Sequence, residues 1–227
     1  MIKHHPKFEL MLSFVKGDLP ASLSAGITIH AGMCPVCQEQ IFQLTEQMAE
    51  VSFEEDHLDK YIVDDDKKLN VSSIDFNQMI EAITENNEVK LEEAIIEKVI
   101  AFKNKTYKLP AILNNMQLGK AAQFGNLARA RIQLDENEIH TSLLHIEPGA
   151  GVPEHKHKGF ELTLLLAGSF HDDEGVYVKG DFMMLDGSHT HQPISKDGCL
   201  CYTVANDAPY FTQGINKLLN PIASFIY

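Results

Sequence analysis

Two hydrophobic periods divide the chain. Phe8, Leu10, Met11, Phe14 and Val15 recur with helical spacing behind Pro6, which suits a helix's first turn. Gly17-Asp18 breaks that helix, and Pro20 starts a second that carries Leu23, Ile27 and His30 along one stripe. A third opens at Pro35 and runs on Ile41, Leu44, Met48 and Val51. Residues 54–68 are charge-rich, include Asp64-Asp65-Asp66, and read as a solvated linker. Ser72 or Ser73 caps a fourth predicted helix with Phe76, Met79, Ile80 and Ile83 on one face. That stripe has no partner nearby, so it either closes a helical bundle or forms part of a binding groove. From about Lys108 the pattern changes to apolar runs of strand length at 130–134, 141–146, 161–166, 176–178, 182–185 and 200–204. Gly, Asp and Pro separate them, as in an all-β sandwich or barrel. The expected fold class is α+β in two domains: a helical domain over 1–105 with an acidic linker, and a β-barrel over 106–227.

The 227 residues suffice for two ordinary domains. Met1–Pro6 holds Lys3, His4 and His5 with no apolar run behind it, and no stretch approaches the roughly 18 apolar residues of a membrane span. A cytoplasmic protein with no membrane contact is expected. The net charge is −13, and residues 1–105 carry 19 acids against 10 bases. Such a chain repels nucleic acid, which is bound by Lys and Arg neutralising phosphates. It favours a basic protein partner through complementary potential.

The four cysteines fall in two close pairs, Cys34/Cys37 and Cys199/Cys201, a spacing that suits metal or redox chemistry better than a disulfide scaffold. His30, Cys34 and Cys37 form H-x3-C-x2-C. One imidazole at the end of a helix and two thiols at the turn into the next lie within bonding reach of one ion. Structural zinc takes four such ligands in a tetrahedron. The fourth is His5 or, as the alternative, His4. Short helices between Gly and Pro breaks bury little surface, so a metal staple is physically useful here. A redox C-x-x-C would need a βαβ context that this sequence lacks.

The second constellation is Gly149-x5-His155-x-His157-x3-Glu161-x6-Gly168. Two residues apart on a strand, His155 and His157 project to one face. Downstream, Ser188-His189-Thr190-His191 offers a fourth ligand, His191 before His189. This arrangement resembles the cupin superfamily, a jelly-roll barrel whose mouth holds one metal on three His and one Glu. The second motif departs from the usual pattern, with Asp186 in place of proline and Ser188 in place of glycine. Such nitrogen and oxygen donors suit Zn, Fe, Mn, Ni or Cu alike. His140, His145 and His171 fall outside both motifs and read as ordinary polar or half-buried residues. Cys199 and Cys201 share one strand face, as small core residues or as a redox pair near the metal.

Both metal motifs in this order, with Gly17-Asp18-Leu19-Pro20, His171-Asp172-Asp173-Glu174-Gly175 and Asn206-Asp207-Ala208-Pro209, make the sequence similar to the ChrR-type zinc-binding anti-sigma factors over nearly its full length. The resemblance implies two zinc ions per chain, one on His5, His30, Cys34 and Cys37, the other on His155, His157, Glu161 and His191. It implies a non-enzyme whose helical domain holds a group IV (extracytoplasmic-function) sigma factor from RNA polymerase. The cupin would release it under oxidative stress from singlet oxygen or peroxides. Phe76, Met79, Ile80 and Ile83 are the expected partner contacts. The rival reading is a metal-dependent cupin enzyme, a dioxygenase, with a small zinc domain. Bound iron together with a deep, open barrel pocket would favour that rival; zinc and a filled barrel would not.

Overall fold

The computed structural model describes residues 1–54, 76–84, 97–103, 105–212, 214 and 220. The first three helices form where the apolar spacing and the Gly and Pro breaks place them: α1 (Phe8–Lys16), α2 (Ala21–Ala31) and α3 (Pro35–Glu54). The N–H groups of Gly17 and Asp18 donate to the carbonyls of Phe14 and Ser13, closing the end of α1. A fourth helix, α4, spans Phe76–Thr84. The expected cap at Ser72/Ser73 and most of the expected linker lie outside the described residues.

The chain forms two compact units, Met1–Glu46 with Glu97–Tyr227, and Gln47–Ile96. In the first unit the strands are antiparallel. The central sheet runs Leu127–Gln133, His140–Ile146, Cys199–Ala205, Glu161–His171 in spatial order, and Phe182–Leu185 and Val176–Val178 also pair with Glu161–His171. A smaller sheet sets Thr190–His191 and Tyr210–Phe211 on either side of His155–Lys156. The apolar runs are continuous because both faces of the central strands are covered. Leu162, Leu164, Leu200, Tyr202 and Val204 pack outward in a cluster with Leu23, Ile27 and Ile29 of α2. Leu165, Cys199 and Cys201 belong to a second cluster with Phe170 and Met183.

This packing explains α2, which is buried at Leu23, Ala25, Gly26, Ile27, Ile29 and His30. A stripe on one face would not require that; a helix seated on a sheet does. A Cβ on Gly26 would meet Leu162 at 3.3 Å and Tyr202 at 3.5 Å, so the missing side chain sets the close approach. The Tyr202 hydroxyl donates to the Ser22 carbonyl at 2.8 Å. Several short strands escaped the periodicity, among them the hairpin of Val99–Phe102 and Lys105–Lys108, which precedes the expected onset of strand pattern at Lys108. Its Phe102 and Tyr107 join the outer cluster.

Candidate metal centres

The first centre gathers the start of the chain, the end of α2 and the first turn of α3. His5, His30, Cys34 and Cys37 bring their donor atoms within 4.8 Å of one another. His5 Nδ1 lies 3.4 Å from both sulfurs, and His30 Nε2 lies 3.3 Å from Cys37 Sγ. His30 Nδ1 faces the Gly180 carbonyl at 2.7 Å. A carbonyl only accepts, so Nδ1 carries the proton and Nε2 turns its lone pair inward. Burial, partly countered by that carbonyl, lowers the His30 pKa and keeps the ring neutral. Burial, with Cys34 alongside, pushes the Cys37 thiol up to about 12. Burial thus disfavours the Cys37 thiolate, and a cation at the centre would supply the missing counter-charge. The donor set fits a tetrahedral ion that accepts sulfur and imidazole. His5, and not His4, is the histidine brought to this cluster.

Barrel residues hold this centre from outside. The buried Asp181 accepts the N–H groups of Lys3 at 2.7 Å, His4 at 3.1 Å and Val178 at 2.8 Å. Burial opposes its ionisation, but those three amides outweigh burial and lower its pKa. Nothing in the motif spacing singles out Asp181.

The second centre brings His155, His157, Glu161 and His191 together, again with donor atoms within 4.8 Å. Strand register does this: His191 pairs with His155, and Glu161 starts the long strand Glu161–His171. His189 is instead exposed beside Asp186, 2.9 Å from its carboxylate. Nδ1 of His155 donates to the Pro153 carbonyl at 2.8 Å, and Nδ1 of His157 to that of Asp207 at 3.3 Å. Their Nε2 atoms therefore turn inward. His155 Nε2 and His191 Nε2 are 3.0 Å apart, and Glu161 Oε2 is 3.2 Å from Nε2 of both His157 and His191. Lone pairs and a carboxylate converging at such distances fit a shared cation. Burial drops His155 to about 4. For His157 burial also opposes the charged form, but Glu161 outweighs it and raises the pKa. Glu161 is desolvated too, yet hydrogen bonds from His157 and His191 hold its carboxyl well below the usual range.

The sign of that shift gives a pH prediction for the metal-free chain. Glu161 and Asp181 both have depressed pKa values, so their stabilisation is complete above the ordinary carboxylate range near 4. It is lost as pH falls through the folded-state values. Melting temperature measured against pH should drop on the acid side, and Glu161→Gln should flatten that limb. An unchanged limb would mean that Glu161 is not paired in the metal-free state.

His155, Glu161 and His191 also line a cavity of about 600 Å³. Its other walls are mostly apolar, with Phe124, Leu144, Phe170 and Phe211, and Cys201 reaches it. Cys199 and Cys201 are fully buried neighbours: the hydrogen bond from Cys201 lowers the Cys199 thiol, and Cys201 is raised. His145 is more deeply buried than the ordinary polar or half-buried residue expected from the sequence. It is 1% exposed and sits 3.0 Å from the Tyr107 hydroxyl and 3.1 Å from the Cys199 carbonyl. Its partner Tyr107 lies in the hairpin that the periodicity did not reveal.

With both centres placed, the comparisons with known proteins become informative. Residues 124–208 match the model of the ChrR cupin-like domain. The anti-sigma-E factor ChrR of Cereibacter sphaeroides is 25% identical over 236 aligned residues, covering 97% of this chain and 97% of that protein. The likeness to this relative runs along nearly the whole length of the chain. Among solved structures, the crystal structure of Rhodobacter sphaeroides SigE in complex with the anti-sigma ChrR matches over 90% of this chain and 100% of the other, with a TM-score of 0.60 at 21% identity. That last likeness concerns the fold: helices at the N-terminus followed by a cupin-like β domain, as the two hydrophobic periods predict. The ChrR cupin-like match contains His155, His157, Glu161 and His191; the first centre lies in the part that only the whole-chain likeness covers.

Proposed function

We propose that this protein is an anti-sigma factor that sequesters a group IV (extracytoplasmic-function) sigma factor from RNA polymerase and releases it under oxidative stress. The observation that carries the reading is the pair of four-donor clusters in a chain that aligns end to end with a protein named as an anti-sigma factor. Both ions are zinc in this reading, and the protein acts in the cytoplasm without catalysing a reaction. His5, His30, Cys34 and Cys37 hold the first ion, and His155, His157, Glu161 and His191 the second. Zinc supplies a crosslink at the first cluster, joining the chain start to α2 and α3.

Residues 1–105 provide the inhibitory part and 106–227 the responding part. Exposed apolar side chains offer the contacts: Val36 and Phe42 in one compact unit, and Val51, Phe53, Ile80 and Ile83 in the other. Ile80 and Ile83 are 57% and 71% exposed, as a partner-binding stripe requires, while the side chains of Phe76 and Met79 lie outside the described residues. The excess of acids over bases in residues 1–105 complements a basic, polymerase-binding partner. No helix among the described residues is long and apolar enough to cross a membrane. The signal reaches the barrel interior, where Cys201 lines the cavity that His155, Glu161 and His191 also line.

Co-purification with the group IV sigma factor of the same genome tests this reading. The full chain is the right reagent, because the barrel covers α2. A one-to-one complex lost on chelation or in His30→Ala is the expected result. No complex with the folded, metal-loaded chain would end the anti-sigma reading. The 600 Å³ cavity beside His155, Glu161 and His191 is the observation that favours the second reading, a metal-dependent cupin enzyme such as a dioxygenase. Turnover of a small apolar substrate, abolished by Glu161→Gln, would establish it.

A further inference from the structure

Three consecutive barrel residues control half of the first centre's donors. The Gly180 carbonyl orients the His30 ring at 2.7 Å. Asp181 takes the N–H groups of Lys3 and His4, at 2.7 Å and 3.1 Å, and the Phe182 N–H donates to the His4 carbonyl at 3.0 Å. His4 is therefore gripped on both its N–H and its C=O, and His5 follows directly. Gly180 has φ +95°, a backbone conformation that residues with a side chain rarely adopt, and a Cβ there would press on Ile2 Cδ1 at 2.5 Å. Cys34 and Cys37, by contrast, are placed by the turn between α2 and α3.

The same three residues are tied to the strand that carries Glu161. Gly180 N–H donates to the Leu165 carbonyl at 2.8 Å, and Leu165 N–H donates to the Asp181 carbonyl at 3.1 Å. Phe182 pairs with Leu164, and Leu185, at the far end of its strand, pairs with Glu161 itself. Strand pairing and hydrogen bonds thus lead from Glu161 of the second centre to the ring of His30 and to His4, the residue before His5, in the first.

We propose that Asp181 is a positioning residue through which the barrel sets the geometry, and so the metal affinity, of the His5/His30/Cys34/Cys37 centre. The two centres are then one coupled device: displacement of the strand at Glu161 moves the Gly180–Phe182 turn, and that turn moves His5 and His30. By reciprocity, an ion at the first centre stiffens the turn. This rests on the reading that the first centre holds a metal.

Cobalt(II) in the full-length chain is the probe. Only the first centre has sulfur donors, so thiolate-to-cobalt charge-transfer absorption reports that centre alone. Asp181→Asn should weaken cobalt there by about 10–100-fold, the range typical of outer-shell partners, and should shift its ligand-field bands, with the second centre still loaded. Ser195→Ala removes another buried barrel hydrogen bond, to the Ser169 carbonyl at 2.6 Å, and should leave the first centre at its wild-type affinity. Wild-type affinity and bands in Asp181→Asn would overturn the proposal, as would equal weakening in Ser195→Ala. If Asp181→Asn does not fold, hydrogen exchange on the wild-type chain decides. Cobalt at the first centre should slow exchange at Leu165, Gly180 and Phe182, and unchanged exchange there would overturn the coupling. A wild-type chain that takes no cobalt at its thiols would remove the metal reading and this proposal together.

Discussion

Cys37→Ser should empty the first centre, loosen α1 and the start of α3, and abolish sigma-factor binding while the barrel stays folded. Among the described residues, the apolar cluster around this centre has Met11, Cys34, Cys37 and Leu44 as buried members, with Ile2, Leu12, Val15 and Ile41 packed against it. Leu10 and Phe14 of α1 and Ile41 of α3 also rest against the barrel cluster, but so small a core around the donors contributes little against the entropy of the chain. The ion's binding energy is therefore folding energy at this centre. A hydroxyl is a far harder donor than a thiolate, and losing one of four inner ligands should cost more than the roughly 10–100-fold of an outer-shell change. Metal analysis should fall from two ions per chain to one. Limited proteolysis should cut early in α1 and α3 and spare the strands. A variant that kept two ions and full sigma affinity would show that the cluster is not the organiser.

Tyr202→Ala should cost about 3–5 kcal/mol, the range for removing a large buried ring, whereas Tyr202→Phe should cost about 1 kcal/mol for one hydrogen bond. Tyr202 is fully buried between the barrel sheet and α2, and its hydroxyl donates to the Ser22 carbonyl. The ring fills the space that Gly26 leaves open, so its loss leaves a cavity under the helix rather than a surface that water can refill. Urea unfolding of the metal-loaded chain measures both variants. Near-equal costs for Ala and Phe would mean that α2 does not rest on the sheet.

Much of this was legible in the residues. The helical spacing of Phe8 to Val15 and the breaks at Gly17 and Pro20 placed α1 and α2 because a local 3.6-residue period needs no distant partner. Strand positions were readable for a related reason: Glu161–His171 and Cys199–Ala205 are covered on both faces, and their side chains record it. Both donor sets lay mostly in short motifs, since ligands of one ion are cheapest to supply from neighbouring residues. The hairpin of Val99–Phe102 and Lys105–Lys108 was not readable, because its strands are short and largely exposed. His145 was misread for the same reason, as its partner Tyr107 sits in that hairpin.

The sequence by itself determined the element types, their order, the likeness to ChrR-type proteins and the chemistry of both donor sets. Local period and ligand spacing are properties of adjacent residues, and the chain states them directly. Tertiary structure alone decided between His5 and His4, and between His191 and His189. Those choices depend on which backbone the barrel grips and on the register of Thr190–His191 against His155–Lys156. It alone seated α2 on the sheet, and it alone brought Asp181 to the amides of Lys3 and His4 across 178 and 177 residues of chain. Contacts at such separation leave no period or motif behind them; they exist only once the strands have paired and the helix has found its place.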